Sequence, residues 1–301
     1  MFEKLFARRG LSLDRLRVLC EVAEAGGIAR AARNDPTRQS QFSRQLKELE
    51  DFFEVELTRR QGKGLGLTPA GRELALHARE LLQGLQDFQL RWINQPLTYS
   101  IGAGESLLAW LLLPNMSQTA EAALASNFKL RNLRTTEIVS GLQDLSLDFG
   151  LIRKDAATQP LATHPLGKLE YALYCPKELL KKSDSYDLVT VLQNVPLALL
   201  GSDGEFVRDF HAWVKKNQVS ISVKLECDSF PQACRAIKTG QYATILPTIA
   251  ARDLPPGEFV EVALPLKKGS RVICLAWNPR ILRLRTPAPK VAEFLKEALR
   301  F

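Results

Sequence analysis

Arg38, Gln39, Ser40, Ser43, Arg44 and Lys47 sit within ten residues of each other, and all are types that bond phosphate oxygens or the edges of bases. A second basic group follows at Arg59, Arg60 and Lys63, set among Gly62, Gly64 and Gly66. Glycines let a tight hairpin bring its backbone close to a phosphate chain, and the cations neutralise that chain. The chemistry both groups could share is contact with double-stranded DNA. Catalytic chemistry has no comparable footing. His77, His164 and His211 are scattered, and GxxxxGK[ST], GxSxG and HExxH patterns are absent. The stretch IGAGES (101–106) offers only GxG, without the third glycine of a dinucleotide turn. The five cysteines are odd in number and form no CxxC pair, which suits small core residues in a reducing compartment better than zinc ligands or disulfides. An enzyme is therefore not expected.

The elements that must position these groups can be read from periodicity. In QSQFSRQLKELE (39–50) and just beyond it, apolar residues fall at Phe42, Leu46, Leu49 and Phe53, which places them on one stripe of a helix with the polar readers opposite. Alone, this pattern equally describes an ordinary amphipathic helix with a solvated outer face. Its neighbours are more specific. Ser12 is a predicted N-cap for a helix carrying Leu13, Leu16, Cys20 and Ala23, ended by Gly26-Gly27. A short helix over 28–33 follows, small enough at Ala29, Ala31 and Ala32 for close packing. Residues 34–37 then read as a turn in which Pro36 blocks the preceding helix, and the reader helix is predicted to begin near Arg38. This order is a helix-turn-helix, whose second helix enters the major groove by its N-terminal part. Glu48, Glu50, Asp51, Glu54 and Glu56 must then face away from DNA. The basic hairpin is either a DNA-binding wing or a flexible loop.

Thr68-Pro69 opens a long helix, with Thr as cap and Pro at the first position. Its apolar residues Leu74, Ala78, Leu81, Leu85, Phe88 and Trp92 alternate steps of four and three, a coiled-coil seam. That seam is met either by a second copy of the chain or by burial within this one. Residues 94–96 (Asn-Gln-Pro) end it as a linker. Beyond residue 97 short apolar strands alternate with helices, which predicts an α/β class region. Strands are expected at 99–103, 130–138, 149–152, 169–175, 196–200, 221–226, 243–246, 259–262 and 272–277, and helices at 106–113, 205–216, 231–239 and 290–300. So many strands fit two small lobes better than one.

The bulk numbers set limits. A chain of 301 residues supports two or more domains, and the most apolar run, 107–114, is too short to span a bilayer. The first residues, MFEKLFARRG, are interrupted by charge and do not make a secretory segment, so a cytoplasmic protein without membrane association is expected. Net charge is +8, but residues 1–95 hold 16 Lys and Arg against 13 Asp and Glu, only +3 of that total. A DNA-facing surface must therefore come from local arrangement rather than bulk basicity.

The pieces EVAEAGGIARAA (21–32), QSQFSRQLKELE (39–50) and LTPAG (67–71), in this order and spacing, resemble the N-terminal domain of LysR-type transcriptional regulators. SIGAG (100–104), LDFGLIR (147–153) and AIKTGQYATILP (236–247) resemble, more loosely, that family's effector-binding region. The resemblance implies a multidomain α/β fold: a winged helix-turn-helix over 1–67, a linker and dimerisation helix over 68–96, and an effector-binding region over 97–301. The last divides into lobe I (about 97–163 plus 267–301) and lobe II (about 164–266), resembling periplasmic solute-binding proteins. It implies a homodimer formed through 68–93, or a tetramer, and no cofactor beyond a small-molecule effector held between the lobes. Effector positions carried over are Gly104, Glu105, Ser106, Ser140, Gly201 and Ser202, where strand ends meet helix N-termini. Ser106 and Ser202 read equally as simple helix caps. Glu105 would repel an anionic effector, and Phe230 reads as core or cleft lining. There are departures from the family pattern. Asp35 takes the place of an apolar residue and is expected to lose a core contact, Arg38 adds a phosphate-seeking cation, and the wing entry reads Leu57-Thr58-Arg59-Arg60 without its usual phenylalanine. The resemblance implies a sequence-specific regulator switched by effector-driven lobe closure. The alternative is a DNA-binding regulator whose C-terminal region is only an oligomerisation scaffold.

Overall fold

The computed structural model describes residues 2–61, 64–117, 126–180, 187–201, 205–265 and 271–301. A one-turn helix, α1 (Glu3–Phe6), leads in. In α2 (Leu13–Ala25), Ser12 accepts from the Arg15 amide and Gly26, at φ 69°, closes the helix. Helix α3 (Ile28–Ala31) is shorter than expected because Arg33 and Asn34 turn left-handed, at φ 53° and 61°. The reader helix α4 (Pro36–Phe53) starts earlier than Arg38: Asp35 is its N-cap and Pro36 its first residue. Proline has no N–H to lose at that position, so it begins this helix instead of breaking the previous one. Asp35 is exposed and makes no core contact, as expected; its carboxylate caps the helix instead.

Phe42, Leu46 and Leu49 bury against Leu16, Leu19 and Val22, a core worth about 1.5–3 kcal/mol per large side chain. At the helix end Phe53 is partly buried and packs against this core, as expected, while Phe52 is also buried but outside that cluster. Strands β1 (Thr58–Gln61) and β2 (Gly64–Leu67) pair antiparallel, with Arg60 opposite Leu65. Helix α5 (Pro69–Trp92) packs so closely on the strand entry that a Cβ at Gly71 would lie 2.2 Å from the Leu57 carbonyl oxygen. Only glycine fits there.

The remainder of the chain runs β3 (Leu97–Ala103), α6 (Glu105–Leu107), a π turn (Leu108–Leu112), α7 (Leu113–Ser117), β4 (Ser126–Asn132), α8 (Thr135–Gln143) and β5 (Phe149–Arg153). It continues as β6 (Ala162–Leu169), β7 (Tyr171–Pro176), α9 (Lys177–Leu180), α10 (Leu188–Asn194), β8 (Pro196–Leu200), α11 (Glu205–Lys216) and β9 (Ser222–Cys227). It ends with α12 (Phe230–Ile237), β10 (Thr244–Pro247), β11 (Phe259–Ala263), β12 (Arg271–Trp277), α13 (Pro279–Leu284) and α14 (Ala288–Ala298). One sheet has the order β4-β3-β5-β12-β6, parallel among the first three and antiparallel at β12. A second body holds β10-β7-β11 and the parallel pair β8-β9, joined by a bridge from Leu197 to Ala243.

Two expected strands change. The one at 130–138 stops at Asn132, because the Glu137 carboxylate accepts from the Arg134 amide and starts α8 despite its β-branched residues. The one at 169–175 is two strands meeting at Glu170: β6 pairs with β12, while β7 pairs with β10 and β11. The first sheet therefore extends to Leu169, beyond the expected lobe I limit at 163. Trp110, Leu111 and Leu107 of lobe I share one buried cluster with Ala233, Ile237 and Ile249 of lobe II. Trp110 also donates through Nε1 to Asp253 Oδ2 at 2.9 Å across that seam. Among the described residues no helix is long and apolar enough to cross a membrane.

Candidate DNA interface and effector cleft

Helix α4 presents its N-terminal half outward. Asp35 Oδ1 accepts from the Thr37 and Arg38 amides at 2.8 and 3.3 Å, fixing the first turn. Ser40, Ser43, Arg44 and Lys47 are exposed, while Gln39 is half-buried on the flank of the apolar stripe and Arg38 folds over the Phe42 ring at 5.6 Å. The Arg44 side chain is 82% exposed, its nearest carboxylate being Glu48 at 3.7 Å, so its guanidinium can turn toward a base or a phosphate. Lys47 is committed to Asp51 at 3.1 Å, and that hydrogen bond raises its pKa. Gln41, not among the residues assigned from the sequence, also lies on this face. It is exposed one turn beyond Thr37 and one turn before Arg44, and that i, i+4, i+7 spacing was the available signal.

Arg59 and Arg60 are exposed on β1, and Lys63 lies outside the described residues. The hairpin is anchored from α4. Glu50 accepts from the Leu57 and Thr58 amides, both at 2.9 Å, and from the Thr58 hydroxyl at 3.0 Å. Periodicity marked Glu50 only as a charge to keep from DNA, and nothing in the sequence alone showed that it ties reader helix to wing. Glu48 likewise turns inward, to Arg15.

The second site is a cleft of about 970 Å³ between the sheets of the two lobes. Of the expected positions, Gly104, Glu105, Ser106 and Gly201 line it. Ser140 does not. It lies on α8, facing a separate groove shared with Glu24 of α2, because the residues expected to be strand are helix and turn it away from the cleft mouth. Ser202 is outside the described residues. The N-cap of α6 is Gly104 and makes no side-chain cap bond, so Ser106 is not the cap of its helix.

The cleft contains what sequence reading did not assign: Arg134 at the start of α8, Arg153 at the end of β5 and Arg271 at the start of β12. The same lining also holds the acids Glu105, Glu137 and Asp228, while Arg153 pairs with Asp155 at 3.2 Å and Arg271 with Asp209 at 3.6 Å. Tyr171 stacks on Phe206 with ring centroids 4.1 Å apart and leans on Phe230 at 5.5 Å, forming the aromatic floor. Phe230 is thus both core and lining. Burial pushes the Tyr171 phenol up, against the opposing pull of Arg271 and Arg153, so it stays a neutral donor near pH 7. Among the described residues no group of three or more His, Cys, Asp and Glu side chains is arranged to hold a metal ion.

A winged helix-turn-helix joined by one long helix to two lobes around a polar cleft defines a DNA-binding protein with a ligand-binding half. The family model described as the LysR substrate binding domain matches residues 97–300, and that of the bacterial regulatory helix-turn-helix protein, lysR family, matches 13–72. The chain belongs to the LysR family: it is a DNA-binding transcriptional regulator with an effector-binding domain, not an enzyme. It is similar to the HTH-type transcriptional regulator TdcA of Escherichia coli K12, 22% identical over 292 residues that cover 94% of this chain and 91% of that protein. Similarity to the transcriptional dual regulator GltC of Bacillus subtilis is 24% over 303 residues, covering 97% of each chain. Among solved structures, a full-length OxyR variant from Pseudomonas aeruginosa shares the fold with a TM-score of 0.64 at 20% identity, covering 98% of this chain and 96% of that one.

Proposed function

We propose that α4 reads an operator through Ser40, Gln41, Ser43 and Arg44, that Arg59, Arg60 and Lys63 hold the wing to the phosphate backbone, and that residues 68–93 pair two copies of the chain. The exposed positions on α5 support the pairing: Leu81, Leu85, Phe88 and Trp92 are 49%, 47%, 55% and 75% exposed. Pairing would set two reader helices at the spacing that half-sites require. This reading takes residues 1–67, 68–96 and 97–301 as the functional divisions, with lobe I extended to Leu169.

The effector is an organic anion with an apolar body, and Arg134, Arg153 and Arg271 around one cleft are the observation that carries this. Guanidinium groups bind carboxylates by paired hydrogen bonds, while Tyr171 and Phe230 take the apolar part. Glu105 then orients the ligand by excluding anionic groups from its corner. Regulation by thiol oxidation is disfavoured. All five cysteines are buried, burial pushes each thiol up, and Cys175 reaches about 12. Burial thus favours the thiol over the reactive thiolate at each of them.

Thermal denaturation in the presence of a panel of aliphatic and aromatic carboxylates tests the assignment. A true effector at about 100 times its Kd stabilises by roughly 2.7 kcal/mol, and Arg153→Ala should abolish that gain. Stabilisation only by cationic or uncharged compounds would overturn the anion assignment. No stabilisation by any class would favour the scaffold reading.

A further inference from the structure

Asp87 is the anomaly of α5. Leu85, Gln86, Phe88 and Gln89 around it are exposed or half-buried, yet Asp87 is 3% exposed. Arg285, just after α13 in lobe I, meets it twice, Nε to Oδ2 at 2.7 Å and Nη2 to Oδ1 at 3.0 Å. The same guanidinium donates through Nη1 to Asp148 Oδ1 at 2.8 Å and to the Thr98 carbonyl at 3.0 Å. The Tyr99 ring lies 4.2 Å beneath it. Burial opposes the charge on Arg285, and Asp87 and Asp148 outweigh that opposition. Two carboxylates thus share one cation in a buried place. Each grips it, and neither has it alone.

The location of this triad gives it a role. Asp148 directly precedes β5, whose far end (151–153) lines the effector cleft. Thr98 and Ser100 lie near the start of β3, which leads to Gly104 in the same cleft, and Ser100 donates through its amide and hydroxyl to Asp148 Oδ2 at 2.7 and 2.9 Å. Cleft and triad therefore lie along two paired strands, about 10 Å apart on β5 from Asp148 to Leu151 and about 20 Å apart on β3 from Thr98 to Gly104, at roughly 3.3 Å per residue. Among the described residues the other ion pair joining α5 to lobe I, Glu80 with Arg280 at 3.0 Å, leaves Arg280 47% exposed. Exposed pairs of that kind fix little, whereas breaking a buried pair is costly.

We propose that Asp87, Arg285 and Asp148 form the positioning element that couples the effector cleft to the linker helix. Strands β3 and β5 carry a change at the cleft to Asp148 and Thr98, and Arg285 shifts its grip between Asp148 and Asp87. The seating of α5, and with it the angle of the reader helices, follows that grip. This rests on the reading of the cleft as the effector site. The coupling itself is testable without any effector, so its failure and the failure of that reading are separable.

Hydrogen exchange on the full-length protein, without effector or DNA, is the experiment. Asp87→Asn keeps the shape, removes one charge and leaves Arg285 paired with Asp148. It should speed exchange over residues 80–92 by on the order of tenfold. Because coupling is reciprocal, it should also change exchange at 151–153. Glu80→Gln, which cuts only the exposed pair, should leave 151–153 as in the parent. Faster exchange in α5 alone overturns the transmission, and no change in either segment overturns the latch. A uniform rise that includes α4 overturns both, since that is general loosening. Arg285→Gln should reproduce the Asp87→Asn pattern more strongly; should it fail to fold, Asp87→Asn carries the test.

Discussion

Helices α4 and α5 are built to the same plan and put to opposite use. Each has proline at its first position, a side-chain cap immediately before it and an apolar stripe at spacings of three and four. In α4 the stripe is consumed by its own domain, with Leu46 at 1% and Leu49 at 0% exposure. In α5 only the N-terminal part is consumed, at Ala75 and Ala78, and the stripe then runs on into solvent from Leu81 to Trp92. Spacing specifies that a stripe must be covered, and it does not specify by what. The cover depends on what the chain can fold back over it, and nothing among the described residues closes over the stripe from Leu81 onward.

The sharpest break of this comparison is a pair of substitutions. Leu46→Ala leaves a cavity in a closed core and should cost about 2–5 kcal/mol of stability, read as a lower urea midpoint. Phe88→Asp should leave the fold of each chain intact and raise the dimer dissociation constant by on the order of thirtyfold or more, as loss of a central interface aromatic does. Sedimentation equilibrium measures it. A Phe88→Asp protein that melts earlier but still dimerises would mean that the α5 stripe is covered within the chain.

The polar face of α4 gives the next contrast. Arg44→Ala should weaken binding to a specific operator by about 1–3 kcal/mol while leaving non-specific duplex binding nearly unchanged. Arg60→Ala on the wing should weaken all sequences alike and reduce the salt slope by about one. Gel-shift titrations across a salt series read both. Equal loss on specific and random duplexes for Arg44→Ala would assign it to phosphate and leave base reading to Ser40, Gln41 and Ser43.

The sequence made one kind of feature legible and hid another. Stripes, caps and stops are local, so the boundaries of α2 and α5 and the position of the reader helix follow from a few residues each. Even there Pro36 was misread, because the Asp-Pro pair that ends a helix is chemically the same pair that starts one, and only the left-handed turn at Arg33 and Asn34 decides between them. The cleft was half legible. Gly104 and Ser106 lie at a strand end that the pattern marks, whereas Arg134, Arg153 and Arg271 come from three elements brought together only by the sheet order. Arg285 was invisible for the same reason: its partners are 198 and 137 residues away. Ser140 failed because a run of β-branched residues resembles a strand until one glutamate caps it as a helix.

The smallest effect expected concerns the two caps. Thr68 is 7% exposed, and its hydroxyl both donates to the Glu56 carbonyl and accepts from the Gly71 amide, so the α5 cap is sealed inside the domain. Asp35 is an exposed carboxylate at the N-terminal end of α4, which the proposed docking brings close to phosphate. Its negative charge steadies the positive end of the helix in the free protein and, in that docking, would repel DNA. Asp35→Asn keeps a capping oxygen and removes the charge. It should change stability by only a few tenths of a kcal/mol and tighten duplex binding, more at low salt than at high salt. Asp35→Ala should lose about 1 kcal/mol of stability in addition. Both are read by urea denaturation and by duplex titration at two salt concentrations. Weaker DNA binding by Asp35→Asn at low salt would mean that the N-terminal turn of α4 does not face the phosphates, and the orientation drawn from Ser40 and Arg44 would have to be turned about the helix axis.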